Sequence, residues 1–125
     1  MSVQVRFDGP FFDGRVQKEI ELVLDDIAED AADLGLQMLH QAFGQTLVAP
    51  TGRYERGLQA DLIPDGVDLH DGGSIYGPWL EGTSSRNSST RFKGYANFRR
   101  TAQELESRLD DLAEAALQKR MDRMN

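Results

Sequence analysis

Two short stretches of this chain carry side chains whose types and spacing could support chemistry. In the first, Asp68-Leu69-His70-Asp71, the side chains of Asp68 and His70 would share one face of a strand and could point toward one metal ion. A catalytic zinc ion normally takes three protein ligands, and the one other histidine, His40, belongs to a separate predicted helix. We therefore favour an exposed polar strand face that ends in a turn.

The second stretch is a basic and aromatic segment between Arg86 and Arg100. Its arginines and lysine interleave with Phe92, Tyr95 and Phe98, a pattern that is used for stacking on single-stranded nucleic acid. The same residue types are enriched at protein interfaces. We favour an interface, because arginines on a flexible loop pair readily with carboxylate-rich surfaces. The alternative, a small nucleic-acid-binding protein that uses residues 86–100, stays open. The residues assigned to the interface here are Arg86, Arg91, Phe92, Lys93 and Tyr95.

Signatures of known catalytic sites are missing from the sequence. The chain has no cysteine, no Gly-x-Ser-x-Gly, no His-Glu-x-x-His and no glycine-rich loop followed by Lys-Ser or Lys-Thr. The carboxylates between Asp25 and Asp33 have the spacing of a solvated helix face. We expect no enzymatic activity and no cofactor, and a small hydrolase or metal protein is the weaker alternative.

Composition limits the remaining classes. A chain of 125 residues is predicted to form a single domain, residues 1–125. The net charge of −7 argues against a protein that coats duplex DNA, which needs a basic face. Without cysteine there are no disulfides or thiolate metal sites. Residues 1–7 do not resemble a signal peptide, and no apolar run approaches a membrane span.

The hydrophobic pattern predicts two long helices. Apolar residues recur every three or four positions from about Asp13 or Gly14 to Phe43, and Gly44 is expected to end this first helix. The last helix is predicted over about residues 97–124, with a narrow seam from Phe98 to Ala116. A second apolar stripe continues to the tip of this helix, where a small sheet could not cover it, so we expect it to contact a partner. Its members are Ala113, Leu117, Met121 and Met124.

Alternating residues predict a small sheet between the helices. Short strands are expected at 3–7, 58–62, 67–69 and 75–80, separated by turns. Residues 82–94 form a polar loop. We expect its part from Ser84 to Gly94 to be mobile in an isolated subunit, because it has few apolar residues of its own. The predicted fold class is α+β, with long N-terminal and C-terminal helices packed on a small antiparallel β-sheet.

Two motifs resemble a known family. Pro50-Thr51-Gly52-Arg53-Tyr54 follows the first helix, and Ile75-Tyr76-Gly77-Pro78-Trp79-Leu80-Glu81-Gly82-Thr83 precedes the polar loop. This order, over roughly residues 14–120, resembles the neck and tail-completion proteins of long-tailed bacteriophages. Many members have Pro-Phe-Leu-x-Pro after the loop, whereas this chain has Thr90-Arg91-Phe92-Lys93-Gly94-Tyr95. The resemblance implies structural roles for Thr51, Gly52, Trp79, Glu81, Gly82 and Thr83. From the residues alone, we expect Trp79 to cap the core and Glu81 to accept hydrogen bonds from the Gly82-Thr83 turn.

The resemblance also implies a location and partners. It implies a structural virion protein that forms an oligomeric, most often hexameric, ring at the phage neck or the top of the tail. Such a ring would complete the tail or join it to the head, in contact with other neck, head-connector or tail-tube proteins. It would assemble in the host cytoplasm without a membrane, and DNA would pass through the lumen without specific binding.

Overall fold

A computed structural model describes residues 1–7, 18–47 and 52–124, except for the side chains of residues 18–21, 123 and 124. Two long helices and a three-stranded antiparallel sheet make up an α+β fold, which confirms the predicted class. The strands are β1 (Ser2–Arg6), β2 (Gln59–Ile63) and β3 (Gly66–His70). The helices are α1 (Lys18–Thr46), α2 (Arg53–Arg56), α3 (Gly77–Glu81), α4 (Ser85–Ser88) and α5 (Asn97–Met124).

The sheet has the order β1-β3-β2, so β3 pairs on both sides and its apolar residues lie at the centre of the core. Val67 lies opposite Val5 on β1, and Leu69 lies opposite Ala60 on β2. Val5, Val67 and Leu69 are fully buried, while the alternate residues form the outer, polar face. The predicted turn at Pro64-Asp65 joins β2 to β3, with Asp65 in the left-handed region at φ 60°.

The long helices α1 and α5 run antiparallel and are joined near both ends. The Asn97 side-chain amide at the start of α5 donates to the Thr46 hydroxyl at the end of α1, over 2.9 Å. Toward the other end, Arg120 forms an ion pair with Asp26 at 3.6 Å. Between these contacts Gly35 is buried, and a Cβ there would come within 3.1 Å of Leu69 and Leu105. The missing side chain lets α1 approach both the sheet and α5.

The ends of the first helix differ from the prediction. The structure describes α1 from Lys18, so the predicted start at Asp13 or Gly14 lies outside the described residues. The predicted stop at Gly44 is wrong, because the helix continues to Thr46. Gly44 does not adopt the left-handed conformation that ends a helix.

The predicted strand at residues 75–80 is also wrong. Ile75 and Tyr76 lie in a turn, and Gly77–Glu81 forms the one-turn helix α3. Pro78 sits in its first turn, where the missing N–H is not needed, and Gly82 ends it at φ 101°. Between α1 and β2, the short helix α2 begins directly after Gly52.

The seam of α5 follows the prediction, with Phe98, Leu105 and Leu109 buried. Ala113, predicted in the second apolar stripe of α5, is instead buried against Val23 and Ile27 of α1. Leu117 and Met121 of that stripe are exposed, and the side chain of Met124 lies outside the described part. In that part of the chain, no helix combines the length and apolarity that crossing a bilayer requires.

A buried carboxylate fixes the N-terminus and the turn after β3. The Asp71 side chain is fully buried and accepts hydrogen bonds from the Met1 ammonium at 3.0 Å and the Tyr54 hydroxyl at 2.8 Å. The backbone N–H groups of Gly73 and Ser74 donate to the same carboxylate. Burial alone would raise the pKa of Asp71, but the hydrogen bonds from Met1 and Tyr54 outweigh it and hold that pKa below its usual value.

Replacing this carboxylate should destabilise the fold in a pH-dependent way. We expect Asp71→Asn to lower the free energy of unfolding by about 2–3 kcal/mol at pH 7, because charged hydrogen bonds are lost. Since the folded-state pKa is depressed, this stabilisation is present above the usual value of 3.8 and is lost as the pH falls through the folded pKa. Urea unfolding at pH 7 and pH 3 measures both effects, with the exposed Asp33→Asn as control. An equal gap between wild type and Asp71→Asn at both pH values would contradict this account.

Candidate functional site

The two motif stretches meet at one corner of the molecule. Tyr54 packs its ring edgewise on Phe43, with centroids 5.0 Å apart, and Phe43 packs in the same way on Phe98, at 5.9 Å. The backbone N–H of Phe98 in turn donates to Glu81 over 2.8 Å. Residues 52–54 and 79–83, distant in sequence, therefore belong to one packed unit at the start of α5.

Glu81 connects α3 to α5 through both oxygens of its carboxylate. The side chain is buried and accepts hydrogen bonds from the N–H groups of Phe98, at 2.8 Å, and Arg99, at 3.0 Å. The first N–H groups of a helix have no partner within the helix, and its positive end attracts a carboxylate. The prediction that Glu81 binds the Gly82-Thr83 turn is wrong, because those N–H groups both donate to the Pro78 carbonyl at 2.9 Å.

Two glycines allow the chain to cross itself directly after Glu81. Gly82 and Gly94 both have positive φ angles, 101° and 91°, and their backbones lie against each other. A Cβ on Gly82 would overlap the Lys93 carbonyl, and a Cβ on Gly94 would overlap the backbone of Gly82. Beside the crossing, the Tyr95 N–H donates to the Leu80 carbonyl over 2.7 Å. Residues 83–93 thus form a closed loop, which we call the crossing loop.

The crossing loop is held from within by Asn87. This buried side chain donates to the carbonyls of Trp79, at 3.1 Å, and Phe92, at 3.2 Å, and accepts from the Ser84 N–H at 3.0 Å. The Lys93 ammonium donates to the Asn87 carbonyl over 2.9 Å. The loop therefore has polar support within one subunit, which its few apolar residues did not reveal; its mobility stays a prediction.

An aromatic cluster covers the outside of the crossing loop. Phe92 lies between Trp79 and Tyr95, with centroid distances of 5.0 and 4.9 Å, and the Arg86 guanidinium lies 5.9 Å from the Trp79 ring centroid. Trp79 was expected to cap the core, but it packs on the loop instead. Leu80, its neighbour, is the residue that packs against the core.

The other predicted interface residues fall into two separate places. Arg91 is exposed on the crossing loop, as predicted, whereas Lys93 is committed to loop carbonyls. Met121 is exposed near the far end of α5, about 36 Å from its start at the helical rise. The loop and the helix tip therefore cannot form one continuous patch.

The remaining motif positions have structural surroundings. Gly52 has φ 81° and precedes α2, and its carbonyl accepts two hydrogen bonds from Arg56. Thr83 is exposed next to the crossing. Thr51 lies outside the described residues.

Of the two candidate metal ligands, His70 is engaged with another carboxylate, that of Asp61. His70 shares a short contact of 2.6 Å between its Nε2 and the Asp61 carboxylate, and its Nδ1 accepts the Gly72 N–H at 3.0 Å. Both ring nitrogens therefore have protein partners. Asp61 lies opposite Asp68 in the sheet register, a neighbour that the sequence alone did not identify. No group of three His, Cys, Asp or Glu side chains that could hold a metal occurs in the described part of the chain.

The structure also presents an apolar turn that the sequence placed in a strand. Ile75 is 84% exposed and Tyr76 is 60% exposed. They lie beside Trp79 and Arg86 and line a cleft of about 490 Å³. The signal that could have found this turn is Gly72-Gly73 on one side and Gly77-Pro78 on the other.

Comparisons of this chain with family models, with curated proteins and with solved structures find no match. The contacts of the chain and the resemblance of its two motifs are therefore the grounds for a functional proposal.

The glycine crossing should be the most substitution-sensitive part of this unit. We expect Gly73→Ala, at φ 81° with open space around it, to cost only about 1–2 kcal/mol of stability from the left-handed backbone. Gly82→Ala should cost about 1–3 kcal/mol more, since its Cβ also overlaps the Lys93 carbonyl. Thermal and urea unfolding of both variants measure the difference. Equal stabilities would show that the two backbones do not cross this closely.

Removing the charge of Glu81 should loosen the contact between the crossing loop and α5. We expect Glu81→Gln to lower the unfolding free energy by about 1–3 kcal/mol, because a neutral amide cannot accept both N–H groups as strongly. The exposed Glu114→Gln on α5 is the matched control and should cost under about 0.5 kcal/mol. Hydrogen exchange should show lost protection at the Phe98 and Arg99 amides. Unchanged exchange at these two amides would rule out the cap.

Proposed function

We propose that this protein is a structural virion component of a long-tailed bacteriophage. In this proposal it forms an oligomeric, hexameric ring at the neck or the top of the tail. The ring completes the tail or joins it to the head, in contact with other neck, head-connector or tail-tube proteins. It carries out no catalytic step and holds no cofactor.

One observation carries the proposal: the residues of the two family-like motifs build a scaffold. Glu81 from the second motif binds the start of α5, and Tyr54 from the first motif reaches it through Phe43. Gly52 precedes α2, and Trp79 packs on the crossing loop. The Tyr54 hydroxyl and the Glu81 carboxylate are used for internal hydrogen bonds. Such a unit supports a role in presenting a fixed surface to a neighbour.

Exposed apolar side chains add support for assembly. Ile75, Tyr76, Leu62 and Met121 are each at least half exposed, on different parts of the surface. A small chain that assembles with copies of itself and with other virion proteins needs several such surfaces. The net charge of −7 suits a lumen that passes DNA by repulsion.

The rival function, nucleic-acid binding by residues 86–100, has weaker support. Phe98 is fully buried in the core and so cannot stack on a base. Phe92 packs between Trp79 and Tyr95, and Lys93 donates to loop carbonyls. Within residues 86–100, the arginines are exposed, whereas the aromatic rings are buried or packed on one another.

The proposal predicts that the purified protein forms closed rings. Sedimentation velocity across a concentration series and negative-stain electron microscopy measure the assembly and its symmetry. We expect a discrete oligomer with rotational symmetry. A protein that remains monomeric at every concentration would contradict the proposal.

Binding to duplex DNA serves as the control for the rival function. The expected dissociation constant at physiological salt is no tighter than the roughly 10⁻⁴–10⁻⁶ M of non-specific binders. A submicromolar affinity that persists at that salt would favour the rival and count against a structural ring.

A further inference from the structure

A rigid apolar projection stands at one end of the molecule. Ile75 and Tyr76 form the tip of the turn between β3 and α3, and both are largely exposed. The turn is fixed at its base: the Ser74 N–H donates to the buried Asp71 carboxylate, and the Gly77 N–H donates to the Ser74 carbonyl. A projection held in this way loses little conformational entropy when it is buried. We call Ile75, Tyr76, Trp79 and Arg86 the knob.

An apolar groove lies between the first half of α1 and the β2–β3 hairpin. Its volume is about 400 Å³. Leu24 and Ala28 form one wall, and the 54% exposed Leu62 belongs to the other. Asp25 and Asp65 are also among the described residues that line it, and none of those residues is basic. We call this region the socket.

The knob and the socket carry complementary charge. The knob residues line the cleft described above, and among the described residues of that cleft one side chain is charged, the cation Arg86. The socket lining contains two acids, Asp25 and Asp65. Both surfaces are otherwise largely apolar, so contact would bury hydrophobic area and pair opposite charges at the rim.

The two surfaces face different ends of the helix pair. The knob adjoins Glu81, which binds the start of α5, and that start is hydrogen-bonded to Thr46 at the end of α1. The socket lies along α1 near Leu24 to Ala28, about 27 Å from Thr46 at the helical rise. A single molecule therefore cannot insert its own knob into its own socket.

We propose that the knob of one copy of this chain docks into the socket of the next copy. The contact is heterologous, since two different surfaces meet, and repetition of such a contact closes into a ring when the rotation allows it. This inference rests on the proposed function, and it adds the two surfaces that would join neighbouring subunits.

A mixing experiment with two variants tests the pairing. Ile75→Asp disables the knob and Leu62→Asp disables the socket, and both positions are exposed enough to leave the fold intact, which circular dichroism checks. Each variant alone should be monomeric, with assembly weakened more than about 30-fold. Their equimolar mixture should give heterodimers and nothing larger, because each variant contributes its one intact surface. Gln103→Asp, an exposed control on α5, should assemble like wild type.

The outcomes separate this inference from the proposed function. If wild type assembles and both variants do so equally well, the ring proposal stands and the knob–socket contact is wrong. A mixture that stays monomeric would also overturn the contact, because the two surfaces then do not meet each other. A monomeric wild type overturns both the ring proposal and the knob–socket contact. The same holds if native mass spectrometry shows a monomer with a small molecule bound in the socket.

Charge-reversal variants provide a second, independent test of the knob–socket contact. Arg86→Glu and Asp25→Arg should each raise the concentration for half-assembly about tenfold, and the double variant should recover most of that loss. Additive losses in the double variant would show that these side chains are not paired across the contact.

Discussion

The two hydrogen bonds from the start of α5 to the Glu81 carboxylate constrain the rest of the structure most strongly. They place a buried negative charge where α5 has unpaired N–H groups and a positive helix end. Because Glu81 is the last residue of α3, this one side chain fixes the distance between α3 and α5. The Gly82–Gly94 crossing, the crossing loop and the Trp79–Phe92–Tyr95 cluster all depend on that distance.

A second buried carboxylate has the same role on the other side of the corner. Asp71 ties the N-terminus, Tyr54 and the turn after β3 together, and a Cβ on Gly77 would overlap its carboxylate. Glu81 and Asp71 thus fix the two ends of the segment that carries Ile75 and Tyr76. The chain uses buried charge to hold a surface feature rigid, which suits a protein whose proposed work is assembly and not catalysis.

The sequence predicted the parts of this fold that depend on periodicity. The 3.6-residue repeat located the body of α1 and α5, and the alternation around Val67 and Leu69 located β3. The sequence predictions were wrong where tertiary contacts decide the conformation of a short segment. Residues 75–80 alternate like a strand, but Pro78 and Gly82 favour a single helical turn that brings Glu81 to α5. The internal support of the crossing loop depends on Asn87, whose three partners are known only once the chain is folded.

Hydrogen exchange on the wild-type protein, dilute and assembled, shows whether copies of the chain join through two different surfaces. Assembly should protect two separate segments together: the turn around Ile75 and Tyr76, and the hairpin around Leu62 with the facing part of α1. The amides of Phe98 and Arg99 should be protected in both states, because Glu81 caps them within each subunit. Protection of only one of the two segments on assembly, or of neither, would contradict a scaffold that joins its copies through two different surfaces.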